Sequence, residues 1–366
     1  MSEDALQNAL DAIEKHRVPG ESGNLIAAKV RGLMIGYDAK WRNTRHDVVG
    51  VEQAFHLPVI NPQTGKPSRT FTQSGKFDGV ISVHGRNYLL EHKTTSDDIS
   101  DPDSPYWAIL DIDSQVSSYA LANWQSGRKL DGTLYDVIRK PGIAPKKLDK
   151  ASQKMIVANR EYCGCEVPAD IALAVAQGQE RECFKLYEIR LASETMENPD
   201  KYYQRRIIPR LDAELAEYAR EMWDVGQSLI HARNNNSHYR NSSACMNYNT
   251  PCTFLGVCRG HDTIDSNKWK ARETRHAELP LEFSDNGLNV LTNSRIKTFQ
   301  TCRRKHYYHY ELGVERVDAE EREALALGSL MHHGLEAWFK TFMIGGTDAA
   351  SSITDSEAEA GDDSFF

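Results

Sequence analysis

"TFTQSGKFDGVISVHGRNYLLEHKTT", residues 70–95, decides the fold. Small, apolar and polar residues run up to "HGRN", which is rich in turn formers, and then resume. The stretch therefore predicts two antiparallel strands, 70–83 and 87–95, joined by a tight turn. The second strand opens as a buried run, "YLL", and then places a carboxylate, an imidazole and an ammonium in consecutive positions, Glu91, His92 and Lys93. Charges at the end of an apolar run cost desolvation unless something pairs with them, and a bound cation is one such partner. Alternation along a strand puts Glu91 and Lys93 on the face of Leu89 and turns His92 the other way. Asp78 is isolated among apolar and small residues of the facing strand, so Asp78, Glu91 and Lys93 converge at one end of the hairpin.

Outward from this hairpin, "DVVGVEQAFHLPV" (47–59) adds a third strand and completes a meander. "DIDSQVSSYALANWQSG" (111–127) has helical periodicity and ends at a glycine, and "GTLYDVIRKP" (132–141) returns to strand character. Helices are expected over 3–17 and 24–42. Together these predict an α/β fold with a mixed central sheet flanked by helices. Beyond Pro145 the chain reads as mostly helical, including 210–233. A further helical block starts near Leu288 and continues through "EREALALGSLMHHGLEAWFKTF".

With 366 residues, 40% hydrophobic and 26% charged, the composition is that of a soluble globular protein. No apolar stretch approaches the roughly 20 residues of a membrane span, so no membrane partner is expected. "MSEDALQNALDAIEKHR" is a charged amphipathic helix rather than a signal peptide, which predicts a cytoplasmic location. There the seven cysteines read as metal ligands or reduced thiols rather than disulfides. The formal net charge of -8 is unevenly spread. Residues 344–366 hold Asp348, Asp355, Glu357, Glu359, Asp362 and Asp363 with no Lys or Arg, and read as a disordered acidic tail. The body carries basic clusters at Arg139-Lys140, Lys146-Lys147, Lys201 to Arg210 and Arg303-Arg304-Lys305, so the overall charge does not exclude DNA.

Two carboxylates spaced as Asp78 and Glu91 suit a hard divalent cation such as Mg²⁺. An adjacent ammonium can orient a metal-bound water or stabilise charge on a phosphoryl oxygen, which is the chemistry of phosphodiester hydrolysis. Taken alone, E-x-K is common, and its ordinary reading is an exposed cluster at a strand end. Gln115 and Tyr119 follow in "DSQVSSYAL", one helical turn apart on one face. Three cysteines, Cys245, Cys252 and Cys258, sit in "CMNYNTPCTFLGVC", one short of the four that hold zinc or a [4Fe-4S] cluster. Cys163, Cys165 and Cys183 read as ordinary thiols.

The succession Asp, E-x-K, Q-x-x-x-Y resembles the PD-(D/E)XK nuclease superfamily, in the RecB-like branch that includes phage exonucleases, AddB-type enzymes and CRISPR-associated nucleases. In iron-sulfur members of that branch one cluster cysteine precedes the nuclease core and three follow it, whereas here no cysteine precedes Cys163. "SRIKTFQTCRRKHYYHYELG" with "LALGSLMHHGLE" resembles the start of such a nuclease, supplying Cys302 and a G-x-x-x-H motif at Gly328 and His332. The resemblance therefore implies a circularly permuted order. Residues 1–280 are expected to hold the nuclease core and three cluster cysteines, and 288–343 the family's N-terminal segment within the same domain. An alternative is that two copies of the chain complete one another.

The resemblance further implies a restriction-endonuclease-like core with helical additions. Mg²⁺ or Mn²⁺ would be held by Asp78, Glu91, the His92 carbonyl and His332, with Lys93 assisting the attacking water and Gln115 and Tyr119 in support. Cys245, Cys252, Cys258 and Cys302 would hold a [4Fe-4S] cluster, zinc being the lesser candidate. The implied activity is a deoxyribonuclease, an exonuclease acting on single-stranded or duplex DNA ends in phage-type recombination, replication or repair. It would work in a bacterial or phage-infected cytoplasm beside a helicase, recombinase or single-strand-binding partner. The alternative is a DNA-binding module that keeps the fold without turnover.

Overall fold

The computed structural model describes residues 2–343 apart from 45–46, 248–249, 278, 281–282, 284–288 and 319–322. The acidic tail at 344–366 lies outside the described residues. Three antiparallel strands, β1 (Asp47–Ile60), β2 (Pro67–Val83) and β3 (Arg86–Thr95), form the expected meander. The β2–β3 turn is only His84-Gly85, and both residues have positive φ, 52° and 76°. That conformation twists a two-residue hairpin in the same sense as its strands, so the strand expected from residue 87 starts one residue earlier, at Arg86. β4 (Thr133–Arg139) runs parallel to β3 with Glu91 beside Tyr135.

Strand Tyr203–Ile208 pairs antiparallel with β4 and closes the order β1-β2-β3-β4-(203–208). It corrects the mostly helical reading beyond Pro145. Its sequence, "YQRRII", lacks a clean alternation because Arg205 is turned inward to a buried acid, so the local pattern hides a strand that the sheet makes. A sixth short strand, Val290–Leu291, lies parallel to β2 beside Thr72 and Gln73.

The sheet is covered on both faces, which is why the "YLL" run of β3 is continuously apolar. On one face Ile81, Leu90, Leu134 and Ile138 pack with α1 (Ser2–Lys15), α2 (Glu21–Trp41) and helix Glu323–Lys340. On the other, Phe77, Leu89 and Val137 pack with Trp107 of α3 (Pro105–Leu110) and with Val116 and Tyr119 of α4 (Ser114–Gln125). Each such fully buried side chain contributes about 1.5–3 kcal/mol. The helix expected over 111–127 is α4, which begins only at Ser114 because Asp113 caps it, its Oδ1 accepting from Gln115 N at 3.0 Å; α3 before it was not expected. Gly75 lets α4 settle onto β2: a Cβ there would lie 2.7 Å from the Phe55 ring and 3.1 Å from Tyr119.

The C-terminal segment is part of this core. Trp338 Nε1 donates to the fully buried Asp38 of α2 at 2.9 Å, and Met343 bridges to Val48 of β1. The helical block expected from Leu288 is broken into Asn293–Thr301, Arg303–His306 and a π turn at Tyr307–Glu311. A strand follows at Val314–Arg316, pairing with Trp269–Ala271, before the long helix. Arg295, with no exposed surface, organises this region: it donates to His306 Nε2 at 3.1 Å and to Val290 O at 2.8 Å, and pairs with Glu311 at 2.9 Å. Burial and the charge of Arg295 push the His306 imidazole down to about 2, keeping it a neutral acceptor.

Candidate metal centre

β3 delivers its charged triplet as alternation requires. Glu91 and Lys93 lie toward α4: Lys93 Nζ is 2.8 Å from Glu91 Oε1, 2.9 Å from Gln115 Oε1 and 3.1 Å from Asp113 Oδ2. Those three acceptors match the three donors of an ammonium. Gln115 Nε2 in turn donates to Tyr119 OH at 2.9 Å, so the two motif residues of α4 act as one chain of hydrogen bonds ending on Lys93. Asp113 was not anticipated from sequence. Its signal is an N-cap acid two residues ahead of Gln115, legible as a cap but not as a partner of a lysine on another element.

His92 faces the opposite side, where its Nδ1 lies 3.1 Å from Asp136 Oδ2. Asp136 also pairs with Arg205 at 3.1 Å and accepts from Tyr37 OH, and Arg205 donates to Tyr37 OH at 2.7 Å. Burial opposes the charge on Asp136, but Arg205 and His92 outweigh it and hold the carboxyl well below the usual range. This network stiffens the strand directly behind the carboxylates. His92 contributes its main chain on the other side, its N–H donating to Asp78 Oδ2 at 2.6 Å.

Asp78 stands next to Glu91 across the hairpin, one step beyond the Gly79–Leu90 pair. Burial, reinforced by the charge of Glu52, pushes its carboxyl up to about 6; burial and the charge of Asp78 push Glu91 up to about 7. Glu91 Oε2 is buried and has no hydrogen-bond partner among the described residues. Two crowded acids with an unsatisfied oxygen make a site whose electrostatics favour a cation.

Two further groups reach Asp78. His332, on helix Glu323–Lys340, places Nδ1 3.7 Å from Asp78 Oδ1 although 254 positions separate them in sequence. Burial, then the charge of His92, pushes this imidazole down to about 4, leaving it neutral and able to ligate. Its neighbour His333 turns away and stacks on His16 with centroids 3.9 Å apart. Glu52 is the second residue, after Asp113, that the sequence did not announce. Val51 pairs with Gly79 and Gln53 with Phe77, so Glu52 lies opposite Asp78. Ligand-capable atoms of Glu52, Asp78 and His332 all lie within 4.8 Å of one another. Glu52 has φ of 54°, a left-handed conformation costing a non-glycine roughly 1–2 kcal/mol. The only hint in the sequence is an acid interrupting the apolar run "VVGVEQAF".

Beside this cluster is a cavity of about 210 Å³ whose walls include Lys76, Gln115 and Tyr119 from the N-terminal part and Thr292 to Ser294 from the C-terminal segment. Ser114 Oγ donates to Asn293 Oδ1 at 3.0 Å, and Lys297 Nζ is 3.8 Å from Asp113. One centre is therefore assembled from both ends of the described chain. Residues 290–364 match the model of the PD-(D/E)XK nuclease superfamily. That superfamily suggests a metal-dependent nuclease, whose members generally use Mg²⁺ or Mn²⁺ on a DNA substrate, and the mixed sheet is consistent with its fold. No curated protein and no solved structure matches the chain.

The cysteines gather elsewhere. Cys245, Cys252, Cys258 and Cys302 are free and partly buried. Burial pushes the Cys258 thiol up; Arg304 opposes this, while Cys252, Cys302 and Cys245 add to it, which puts the four sulfurs in one neighbourhood. Cys252 N donates to Cys245 O at 2.8 Å, and Asn241 N to Cys302 Sγ at 3.4 Å. Cys165 and Cys183 pack against a separate apolar cluster around Tyr162 and Leu186, and Cys163 is exposed.

Proposed function

We propose that the chain is a metal-dependent deoxyribonuclease, with Asp78 and Glu91 as the principal carboxylate ligands of Mg²⁺ or Mn²⁺ and Glu52, His332 and the His92 carbonyl completing the set. The observation that carries this reading is the buried Glu91 oxygen without a partner beside Asp78, Glu52 and His332, which converge from four different elements. A divalent cation bound there acidifies a water and offsets charge on a phosphoryl oxygen. Lys93 is held at hydrogen-bond distance from Glu91, where its ammonium can orient the attacking water and stabilise negative charge developing on the phosphate. Gln115 and Tyr119 position Lys93, and the adjacent cavity gives a strand somewhere to lie.

Exonuclease action on DNA ends, in phage-type recombination, replication or repair with a helicase, recombinase or single-strand-binding partner, extends this reading by the RecB-like resemblance. So does a [4Fe-4S] cluster on Cys245, Cys252, Cys258 and Cys302; the shared neighbourhood of the four thiols and the N–H donated to Cys302 suit a thiolate-bound centre. The circularly permuted reading, with 288–343 as the family's N-terminal segment in one domain with 1–280, is supported by His332 reaching Asp78 within one chain.

The test is cleavage of 5′- and 3′-labelled single- and double-stranded DNA with Mg²⁺ or Mn²⁺, the native chain against Lys93→Ala. Metal-dependent hydrolysis lost in the variant supports the enzyme. DNA binding without hydrolysis in the native chain would replace it with the inactive binding module.

A further inference from the structure

We propose that a concavity beside the cysteines is a single-strand subsite, where an unpaired base of the DNA substrate stacks on Tyr239 and the adjoining phosphates meet Arg303, Arg304 and Lys305. The choice of DNA rests on the nuclease reading; the surface itself does not. The region is set apart by its charge. Residues 225–261 and 286–310 contain no Asp or Glu and eight Lys or Arg, although the chain as a whole carries a net charge of -8. The two stretches come together in space. Arg304 N donates to Tyr239 O at 3.1 Å and Arg304 Nε to His238 O at 2.6 Å, while Asn241 Nδ2 donates to Thr301 O at 2.9 Å. Where they meet lies an open cavity of about 450 Å³ whose walls include His238, Tyr239, Arg304, Tyr307 and Tyr308. That size falls within the roughly 300–1,000 Å³ usual for ligand sites.

Rings and cations are both on offer here. Tyr239 is 57% exposed, and the Arg303 guanidinium lies 4.8 Å from the centroid of its ring and 4.9 Å from that of the buried Phe299. Arg303 is thus clamped between a core ring and Tyr239, which steadies the tyrosine and leaves its outer face to solvent. His238 and Tyr307 form a stacked pair in the same wall, with centroids 4.2 Å apart and rings 24° from parallel. No carboxylate pairs with Arg303, Arg304 or Lys305 among the described residues. Glu311, the acid that acts on His238, is already held by Arg233 and Arg295, each at 2.9 Å. Three successive cations without a counter-charge suit a phosphate backbone, and an exposed ring suits a base. A duplex keeps its bases inside the stack, so only a single strand can use both. Helix Asn293–Thr301, about 13 Å long at 1.5 Å per residue, joins this surface to the metal centre. Asn293 and Ser294 line the cavity there, and Arg304 lies three residues past the other end. The exposed Ser294, Lys297 and Thr301 share one face of this helix, which holds no acid.

The test measures binding of a labelled single-stranded oligodeoxynucleotide and of the duplex of the same length, without added divalent cation so that no strand is cut. Tyr239→Ala is expected to weaken single-strand binding by about 5-fold or more, and Tyr239→Phe to leave it as in the native chain, because the ring and not the hydroxyl meets the base. Duplex affinity is expected to stay native in both variants. Lys305→Gln removes one unpaired cation and is expected to lower the slope of log affinity against log salt concentration by about 0.7, the value for one single-strand phosphate contact. Melting temperatures are measured alongside; should Tyr239→Ala melt early, Lys305→Gln still decides the site. Native single-strand affinity in Tyr239→Ala, or an equal loss for the duplex, overturns the stacking, and an unchanged salt slope in Lys305→Gln overturns the phosphate contact. No binding by the native chain overturns both. Absence of cleavage of the same oligonucleotide by the native chain with Mg²⁺ or Mn²⁺ would overturn the nuclease reading while leaving these binding results intact.

Discussion

The metal centre and the cysteine region solve the problem of bringing distant residues together in opposite ways. At the metal centre every side chain is mounted on a strand or a helix packed into the core. Lys93 is held by three acceptors and Asp78 by the His92 amide, so the positions are set before any cation binds. Around Cys245 to Cys258 the chain makes only a 3₁₀ turn, a hairpin of two-residue strands and a four-residue helix, and among the described residues of that span Phe254 alone joins the buried core. A core-mounted site tolerates loss of its ligand. A loop gathered by four thiols depends on whatever they bind.

That contrast can be broken most sharply at the cysteines. Cys302→Ser should abolish iron incorporation as completely as Cys252→Ser, while Cys163→Ser retains it; iron content and visible absorbance are the readouts, and full iron in Cys302→Ser contradicts the ligand set. Next in size, Asp136→Ala should destabilise the protein by about 3–5 kcal/mol in denaturant titration, because it leaves the Arg205 guanidinium buried without its counter-charge. Lys93→Ala and Glu91→Gln should each lower cleavage by at least about 100-fold with DNA binding retained; unchanged turnover in either sinks the assignment.

The smallest effect tests whether the core-mounted site carries strain when metal-free. A carboxyl whose folded value is raised binds protons that the unfolded chain has released, so its contribution to stability is present below about pH 4 and is lost as pH rises through the folded value. Asp78 and Glu91, at about 6 and 7, should therefore make the EDTA-treated protein less stable at pH 8 than at pH 5. Glu91→Gln should be more stable than the native chain at pH 8, by on the order of 1–3 kcal/mol, with the difference vanishing toward pH 4. Thermal melts with and without Mg²⁺ check this. An unaltered difference across that range would show that the acids are not crowded.

Much of the sheet was legible because its determinants are local. The two-residue alternation of 87–95 placed Glu91 and Lys93 on one face and His92 on the other, and one helical turn placed Gln115 against Tyr119. The strand at 203–208 was not legible, since Arg205 spoils the alternation and becomes explicable only once Asp136 is known to lie buried beside it. Glu52 faces Asp78 only because β1 is irregular between Val48 and Gly50 and takes a left-handed residue at 52. Asp113 reads locally as a cap; its pairing with Lys93 depends on where α4 lands on β3.

By itself, then, the sequence determined which residues could do the chemistry and which of them share a strand or a helix face, because side-chain direction within an element follows from its period. The family resemblance already implies that His332 and Asp78 share a metal across 254 positions; the tertiary structure alone decided that Glu52 joins them and that Asp113 meets Lys93. Those facts depend on how separately formed elements pack, and no short-range periodicity encodes the angle at which one helix crosses the end of a sheet.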